Sequence, residues 1–171
     1  MTVTPLPLSP EFLSWQDIDK LIDYLVPQLR GPYDALLMIT RGGIVPGGLI
    51  AEALDIRHIL TAAVEFPEVS QAHMAWPTFL QFPADALIRD KRVLVVDDIW
   101  ANGRTINTVK GRVQAAGGDP EVAVVHYKPG SSLFRQSGPE YYAAVTDRFI
   151  VYPWEVQRGP NRLQTEMPQP N

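Results

Sequence analysis

RVLVVDDIWANGRT, residues 92–105, runs four apolar residues directly into two adjacent aspartates and then into a glycine turn. The apolar run Val93–Val96 is typical of a short buried strand. Carboxylates at the end of such a strand lie one on each face of the sheet, or both at its mouth where the pleat ends. Because like charges repel, Asp97 and Asp98 are expected to bind a positive or hydroxylated group.

The loop after the aspartates leads into a predicted helix. At a helix start the backbone N–H groups lack partners, so the residues of this loop are expected to aim N–H groups at one point and to form an anion site that a phosphate fits. Thr105 adds a hydroxyl to that point. These residues alone are also compatible with a solvated strand end followed by an ordinary turn and helix cap.

Strand and helix patterns alternate along the rest of the chain. A capping box at Ser14 begins a helix over residues 15–29. The other predicted elements are strands at Ala35–Ile39, Arg57–Val64, Val122–Tyr127, Tyr141–Val145 and Phe149–Tyr152, helices at Leu49–Leu54 and from Ile106 to Gly117, and a long loop over 65–91 with a short hairpin. This order predicts an α/β fold with a mainly parallel twisted sheet flanked by helices, and a ligand site at the carboxyl ends of the strands.

Composition limits the classes of function. A net charge of −4 argues against an extended nucleic-acid surface, and no stretch approaches the apolar length of a membrane span. The absence of cysteine excludes disulfides and thiolate metal sites. We expect a cytoplasmic protein with one domain over residues 1–156 and a flexible tail over 157–171.

A first resemblance concerns the acidic pair alone. Residues 93–118 are similar to the first strand and helix of a two-component receiver domain, whose acidic pair holds magnesium. A receiver needs more strands after this pair than the remaining chain supplies. The position of the motif therefore disfavours a receiver.

A second resemblance covers about residues 35–155. Residues 93–105 resemble the phosphoribosyl-pyrophosphate (PRPP) motif of the type I phosphoribosyltransferases: four apolar residues, two acidic ones, an apolar and a variable residue, and a small loop ending in Gly-x-Thr. TRGGIVPGGLIAEALDIRHI resembles the family's first pyrophosphate loop and following helix, and HYKPG its base-contacting lysine segment. TDRFIVYPWE resembles the hood of the hypoxanthine, xanthine and guanine enzymes, which implies a small hood formed by about 1–30 and 139–156.

The resemblance implies a transfer of phosphoribose from PRPP to a nucleobase, most like the 6-oxopurine enzymes. Asp97 and Asp98 would accept the ribose hydroxyls, and Arg41, Gly42 and Gly43 would bind pyrophosphate. Mg²⁺ would be held indirectly by Asp97 and Asp98, through ribose hydroxyls and water. The 5′-phosphate would lie on the loop formed by Ala101, Asn102, Gly103, Arg104 and Thr105.

The same resemblance implies contacts to the base and partners for the chain. Lys128 would reach an exocyclic oxygen, Phe149 would stack on the ring, Ile150 would offer a carbonyl, and Glu155 matches the acidic residue that ends the hood motif. The partners would be PRPP and a nucleobase or nucleoside monophosphate, in a homodimer or homotetramer. Apolar residues Trp76, Phe79 and Phe82, expected to be exposed, favour such an assembly.

Three departures from the family keep a second function open. Ala101 stands where the 6-oxopurine enzymes commonly have an aspartate thought to exchange a proton with the base, and a methyl group cannot do so. Asn102 replaces a usual threonine, and Arg104 a usual glycine or lysine. A non-catalytic or regulatory PRPP- or nucleotide-binding protein of the same fold is the alternative.

Overall fold

The computed structural model describes residues 9–67 and 76–156, which belong to two compact units. The terminal unit is formed by the two ends of the chain, up to Lys20 and from Arg148 onward, and the central unit spans Leu21–Asp147. The single domain and the hood limits expected from sequence stay predictions. The expected tail at 157–171 lies outside the described residues.

The described residues form a mainly parallel α/β arrangement. In chain order the elements are β1 (Glu11–Phe12), α1 (Trp15–Leu25), β2 (Ala35–Ile39), α2 (Ile44–Ala53), β3 (Ile59–Glu65), β4 (Thr78–Gln81), β5 (Arg92–Trp100), α3 (Arg104–Ala115), β6 (Asp119–Tyr127), β7 (Tyr141–Val145) and β8 (Ile150–Val151). The central sheet has the order β4-β3-β2-β5-β6-β7, with all neighbours parallel except the antiparallel pair β3–β4. The predicted fold class is confirmed, and no helix among these elements has the length and apolar character that crossing a membrane requires.

Side chains that alternate along β2 show that two helices cover opposite faces of the central sheet. Leu36 and Met38 contact Gly47 of α2, where a Cβ atom would lie 2.7 Å from the Met38 Cγ. The intervening residues Leu37 and Ile39 belong instead to a buried cluster that includes residues of α3. Because successive side chains of a strand point to opposite faces, α2 and α3 lie on opposite sides of β2.

Several element limits differ from the sequence prediction. Strand β5 continues through both aspartates to Trp100, because it pairs with β6 as far as Trp100 and Tyr127. Helix α2 begins at Ile44 rather than Leu49, since Pro46 falls in the first helical turn, where no N–H partner is needed. The capping box is confirmed, because the Ser14 Oγ and the Asp17 carboxylate each accept the other residue's backbone N–H.

Two of the three aromatic residues that were expected to be exposed are partly buried. The short hairpin expected inside the loop 65–91 is wrong, because β4 in that loop pairs with β3, the strand before it. Phe79 and Phe82 meet edge to face at 5.3 Å and pack against the core cluster, so their expected exposure is wrong. Trp76 alone of the three is largely exposed, at 86%. The homo-oligomer therefore has less support from this segment than the sequence suggested.

A hydrogen-bonded carboxylate ties the amino ends of the strands together, at the edge opposite the loops described below. Glu121, near the start of β6, accepts hydrogen bonds from the Tyr33 hydroxyl at 2.6 Å, the Tyr141 hydroxyl at 2.9 Å and the Arg92 guanidinium at 2.8 Å. Arg92 also stacks over the Tyr33 ring at 4.9 Å. These contacts join β5, β6, β7 and the segment before β2 at the edge opposite the glycine and phosphate loops.

Candidate active site

The strand order of the central unit changes direction between β2 and β5. From β2 the chain moves by way of α2 to β3 on one side, and from β5 it moves by way of α3 to β6 on the other. Loops that follow adjacent parallel strands at such a switch point border a crevice in which α/β proteins bind ligands. The structure places residues 40–43 and 101–105 at this edge, as the sequence predicted.

Asp97 and Asp98 lie inside β5 rather than after it. Asp98 is only 8% exposed, and its backbone N–H donates a 2.9 Å hydrogen bond to the Asp97 Oδ1. Burial, together with the charge of Asp98, raises the pKa of the Asp97 carboxyl well above its ordinary value. Two carboxylates held this close favour a ligand that brings hydroxyl donors or positive charge.

The glycine loop, residues 41–43, lies against this acidic pair. A Cβ atom on Gly42 would lie 2.5 Å from the Cγ and both carboxylate oxygens of Asp98. On Gly43 it would lie 2.3 Å from the Val96 carbonyl oxygen. Neither position has room for a side chain, so the two glycines let the backbone approach β5 closely. The peptide bond between Thr40 and Arg41 is cis, and Arg41 is exposed.

The phosphate loop, residues 101–105, connects β5 to α3. Gly103 has a φ of 81° and precedes the first helical residue, Arg104. The Asn102 Oδ1 accepts the Arg104 N–H at 2.9 Å, and the Asn107 side chain donates to the Gly103 carbonyl at 3.0 Å. The Arg104 N–H, expected to face a ligand, is therefore engaged within the loop. The loop still presents the start of α3 to the same edge as the acidic pair.

The Arg104 side chain has an aromatic partner that the sequence did not suggest. Its guanidinium lies 4.3 Å from the ring centroid of Phe66, which directly follows β3. Phe66 and Arg104 also line a pocket of about 330 Å³ with Phe134. Phe66 and Arg104 are 38 residues apart, so no local sequence pattern could predict their contact; only the fold brings β3 and α3 together.

Lys128 follows β6 at the same edge of the sheet. Its backbone N–H donates to the Trp100 carbonyl at 2.9 Å, so the backbone of Lys128 lies directly beside the end of β5. The structure thus places Lys128 next to the strand that carries the acidic pair. Its predicted contact with a base stays a prediction.

The other predicted base contacts belong to the terminal unit. The Phe149 side chain is 52% exposed, while Ile150 is buried in the two-stranded pair of β1 and β8. The carbonyls of Phe149 and Val151 accept N–H groups from residues 11 and 13, so the intervening Ile150 carbonyl points away from β1. Glu155 accepts the Tyr152 N–H at 2.8 Å within its own turn. Their roles toward a base stay predictions.

The acidic pair has suitable chemistry for Mg²⁺, although it is not a complete metal cage. No group of three or more potential metal-binding side chains occurs within residues 9–67 and 76–156. Mg²⁺ keeps several waters and takes phosphate oxygens of a substrate, so it needs few direct protein ligands. The two carboxylates have the oxygen acceptors for the indirect mode expected from the sequence, in which ribose hydroxyls and water would lie between Asp97 and Asp98 and the ion.

Comparisons with known proteins agree with this geometry. A family model described as the phosphoribosyl transferase domain matches residues 11–157. A xanthine-guanine phosphoribosyltransferase of Cereibacter sphaeroides is 30% identical over 129 residues, which cover 74% of this chain and 72% of that protein. One of Nitratidesulfovibrio vulgaris is 27% identical over 147 residues, covering 84% and 76%. The crystal structure of a purine phosphoribosyltransferase from Pyrococcus horikoshii matches with a TM-score of 0.75 and 27% identity, over 90% of this chain and 99% of that one.

Proposed function

Because this chain belongs to the phosphoribosyl transferase domain family, we propose that it transfers the 5-phosphoribosyl group of PRPP to a purine base and releases pyrophosphate. The observation that carries the proposal is the close contact between the glycine loop, which follows β2, and Asp98 in β5. The start of α3, which follows β5, lies at the same edge of the sheet. A ligand that fits this edge has hydroxyls between two anionic ends. PRPP has this chemistry.

In this proposal each end of PRPP has its own loop. Pyrophosphate lies on Gly42 and Gly43 with Arg41 nearby, and the 5′-phosphate lies on residues 101–105 at the start of α3. The ribose hydroxyls donate to Asp97 and Asp98. Burial, and then the charge of Asp98, raise the Asp97 pKa; hydroxyl donors stabilise the ionised carboxylates against both effects, so substrate binding and the ionised pair favour each other.

The reaction exchanges one bond at carbon 1 of the ribose. The bond to the pyrophosphate oxygen breaks, a ring nitrogen of the base forms the new bond with its lone pair, and the imidazole N–H proton of the base passes to solvent water, since Ala101 has no group to accept it. Positive charge develops on the sugar, as it does in glycoside hydrolysis, and the carboxylates beside the ribose stabilise it. When bound, Mg²⁺ neutralises charge on the leaving pyrophosphate, and Asp97 and Asp98 are the groups that would hold it together with substrate oxygens.

Specificity for a purine is proposed from Lys128 and from the names of the relatives. The ammonium group of Lys128, whose backbone lies beside the end of β5, would favour a base that carries an exocyclic oxygen, as guanine, xanthine and hypoxanthine do. Phe149, Ile150 and Glu155 stay predicted base contacts. The cytoplasmic location and the assembly into a homodimer or homotetramer likewise stay predictions.

Pyrophosphate release tests the proposal. The protein is incubated with PRPP and Mg²⁺ and with guanine, xanthine, hypoxanthine, adenine or uracil in turn, and pyrophosphate and nucleotide are both quantified. We expect release that depends on a 6-oxopurine and on Mg²⁺, with one nucleotide formed per pyrophosphate. Tight PRPP binding without nucleotide on any base would favour the non-catalytic alternative.

A further inference from the structure

Trp100 supports the phosphate loop from below. It is the last residue of β5 and is only 1% exposed. A Cβ atom on Gly103 would lie 2.6 Å from the Trp100 Nε1 and 2.7 Å from its Cε2, so the edge of the indole lies against the Gly103 backbone. The turn residue of the loop therefore rests directly on this ring.

The Trp100 ring is itself held in place from two directions. Its Nε1–H donates to the Ser132 Oγ at 3.1 Å, and its ring meets the Tyr127 ring edge to face at 6.2 Å and 83°. The Ser132 Oγ also accepts the Phe134 N–H and donates to the Phe134 carbonyl, both at 3.2 Å. Ser132 is thus an ordered acceptor for the indole.

A second bond joins the same segment to the phosphate loop. The Leu133 N–H donates to the Asn102 carbonyl at 3.1 Å, and the Lys128 N–H donates to the Trp100 carbonyl at 2.9 Å. Residues 128–134 therefore contact the loop on one side and the end of β5 on the other. The loop, the indole and this segment form one hydrogen-bonded unit.

We propose that Trp100 is a positioning residue for PRPP binding, acting through Gly103 and anchored by Ser132. The inference rests on the proposed function. A loop that binds phosphate through backbone N–H groups works only while those groups keep their directions, and small displacements weaken such contacts strongly. Trp100 does not touch the phosphate; it fixes the residue that turns the loop toward it.

Three variants test the indole and its anchor. Ser132→Ala removes only the hydrogen-bond acceptor, Trp100→Phe removes the N–H donor together with the indole atoms that lie against Gly103, and the double variant removes both. Ser131→Ala is the matched control, because it is the same substitution at the exposed neighbouring residue. Melting temperatures, kcat and the KM values for PRPP and for the base are measured for all four.

Ser132→Ala is expected to raise the KM for PRPP by about 3- to 10-fold, as the loss of one hydrogen bond would. Trp100→Phe is expected to raise it at least as much, because it also removes the indole atoms that lie against Gly103. We expect kcat and the KM for the base to change less than about twofold on the same grounds, since neither quantity depends on this bond in the proposal. Because both substitutions remove one interaction, the double variant is expected to be no worse than the more affected single variant. Wild-type kinetics are expected for Ser131→Ala. An unchanged KM for PRPP with a lowered melting temperature would overturn the proposal and leave Trp100 a purely structural residue.

Indole N–H resonances give a readout that does not need turnover. In ¹⁵N-labelled protein, the resonance that disappears in Trp100→Phe identifies Trp100, and it is expected to shift when ribose 5-phosphate is added to the wild type. Ser132→Ala should reduce that shift and Ser131→Ala should keep it. A Trp100 resonance insensitive to ribose 5-phosphate would contradict the proposal, whereas a shift without any turnover would count against the proposed enzyme only.

Discussion

Gly42→Ala tests whether the contact between the glycine loop and Asp98 matters for function. The added Cβ would lie 2.5 Å from the Cγ, Oδ1 and Oδ2 of Asp98, whereas ordinary van der Waals contact begins at 3.4 Å. The Asp98 carboxylate or the loop must therefore move by about 0.9 Å. Overpacking of this kind costs about 1–3 kcal/mol.

The cost is expected to fall on substrate binding, because the displaced group is the one proposed to accept a ribose hydroxyl. Converted to rate, about 1–3 kcal/mol corresponds to a decrease of about 5- to 150-fold in kcat/KM for PRPP. The assay is pyrophosphate release at subsaturating PRPP, with the fold checked by circular dichroism.

Gly48→Ala is the matched control for this substitution. Gly48 lies in α2, and a Cβ atom there meets nothing within 4 Å. We expect full activity and a slightly higher melting temperature, because alanine favours a helix over glycine by about 1 kcal/mol. A folded Gly42→Ala protein with the kcat/KM of wild type would refute the proposed role of the contact.

Four further substitutions test other parts of the structure. Asp97→Asn should abolish turnover yet raise the melting temperature at neutral pH, because burial and then the adjacent aspartate raise the pKa of this carboxyl and make its ionised form unfavourable in the folded protein. At low pH the wild-type carboxyl is protonated in both the folded and the unfolded state, so calorimetry should show that the gain in stability of the variant vanishes near about pH 4. Wild-type kcat/KM should rise with pH as the substrate base loses its own proton, because Ala101 cannot accept it, and Ala101→Asp should flatten that profile; identical profiles would contradict this. Burial lowers the pKa of His126 to about 4, so on acidification the unfolded chain takes up this proton before the folded protein does, and the wild type loses stability. His126→Gln has no such proton to take up, and urea titrations should show that it loses less stability than wild type between about pH 6.5 and 4. Glu121→Gln replaces a carboxylate that accepts hydrogen bonds from two tyrosine hydroxyls and an arginine, so the unfolding free energy of the variant should fall by about 2 kcal/mol while kcat stays unchanged. A lower kcat would mean that these hydrogen bonds also contribute to the active site.

The sequence predicted the sheet and its edge well because the relevant signals are local. Short runs of valine and leucine bounded by turn residues identify buried strands, and parallel strands bring the loops that follow them to one edge. The positions of the glycine loop and the phosphate loop follow from that rule alone. The length of β5 does not, because aspartates are unfavourable in strands and only pairing with β6 carries the strand past Asp97 and Asp98.

Contacts between distant segments could not be predicted in the same way. Trp100 looked like one more apolar residue, and its contact with Gly103 and Ser132 depends on how the segment after β6 folds back. Phe79 and Phe82 looked exposed because their segment has no clear periodicity, yet they pack on the core. Side-chain partners of this kind are set by tertiary structure rather than by sequence spacing.

A crystal structure with a purine nucleoside monophosphate, pyrophosphate and Mg²⁺ would show where each part of the substrate binds. We expect the 5′-phosphate on residues 101–105, the ribose hydroxyls on Asp97 and Asp98, and pyrophosphate on Gly42 and Gly43. The same experiment with Asp98→Asn should show lower occupancy of the ribose on an unchanged fold. A nucleotide bound at another edge of the sheet, or with its phosphate away from the start of α3, would contradict the proposed PRPP site.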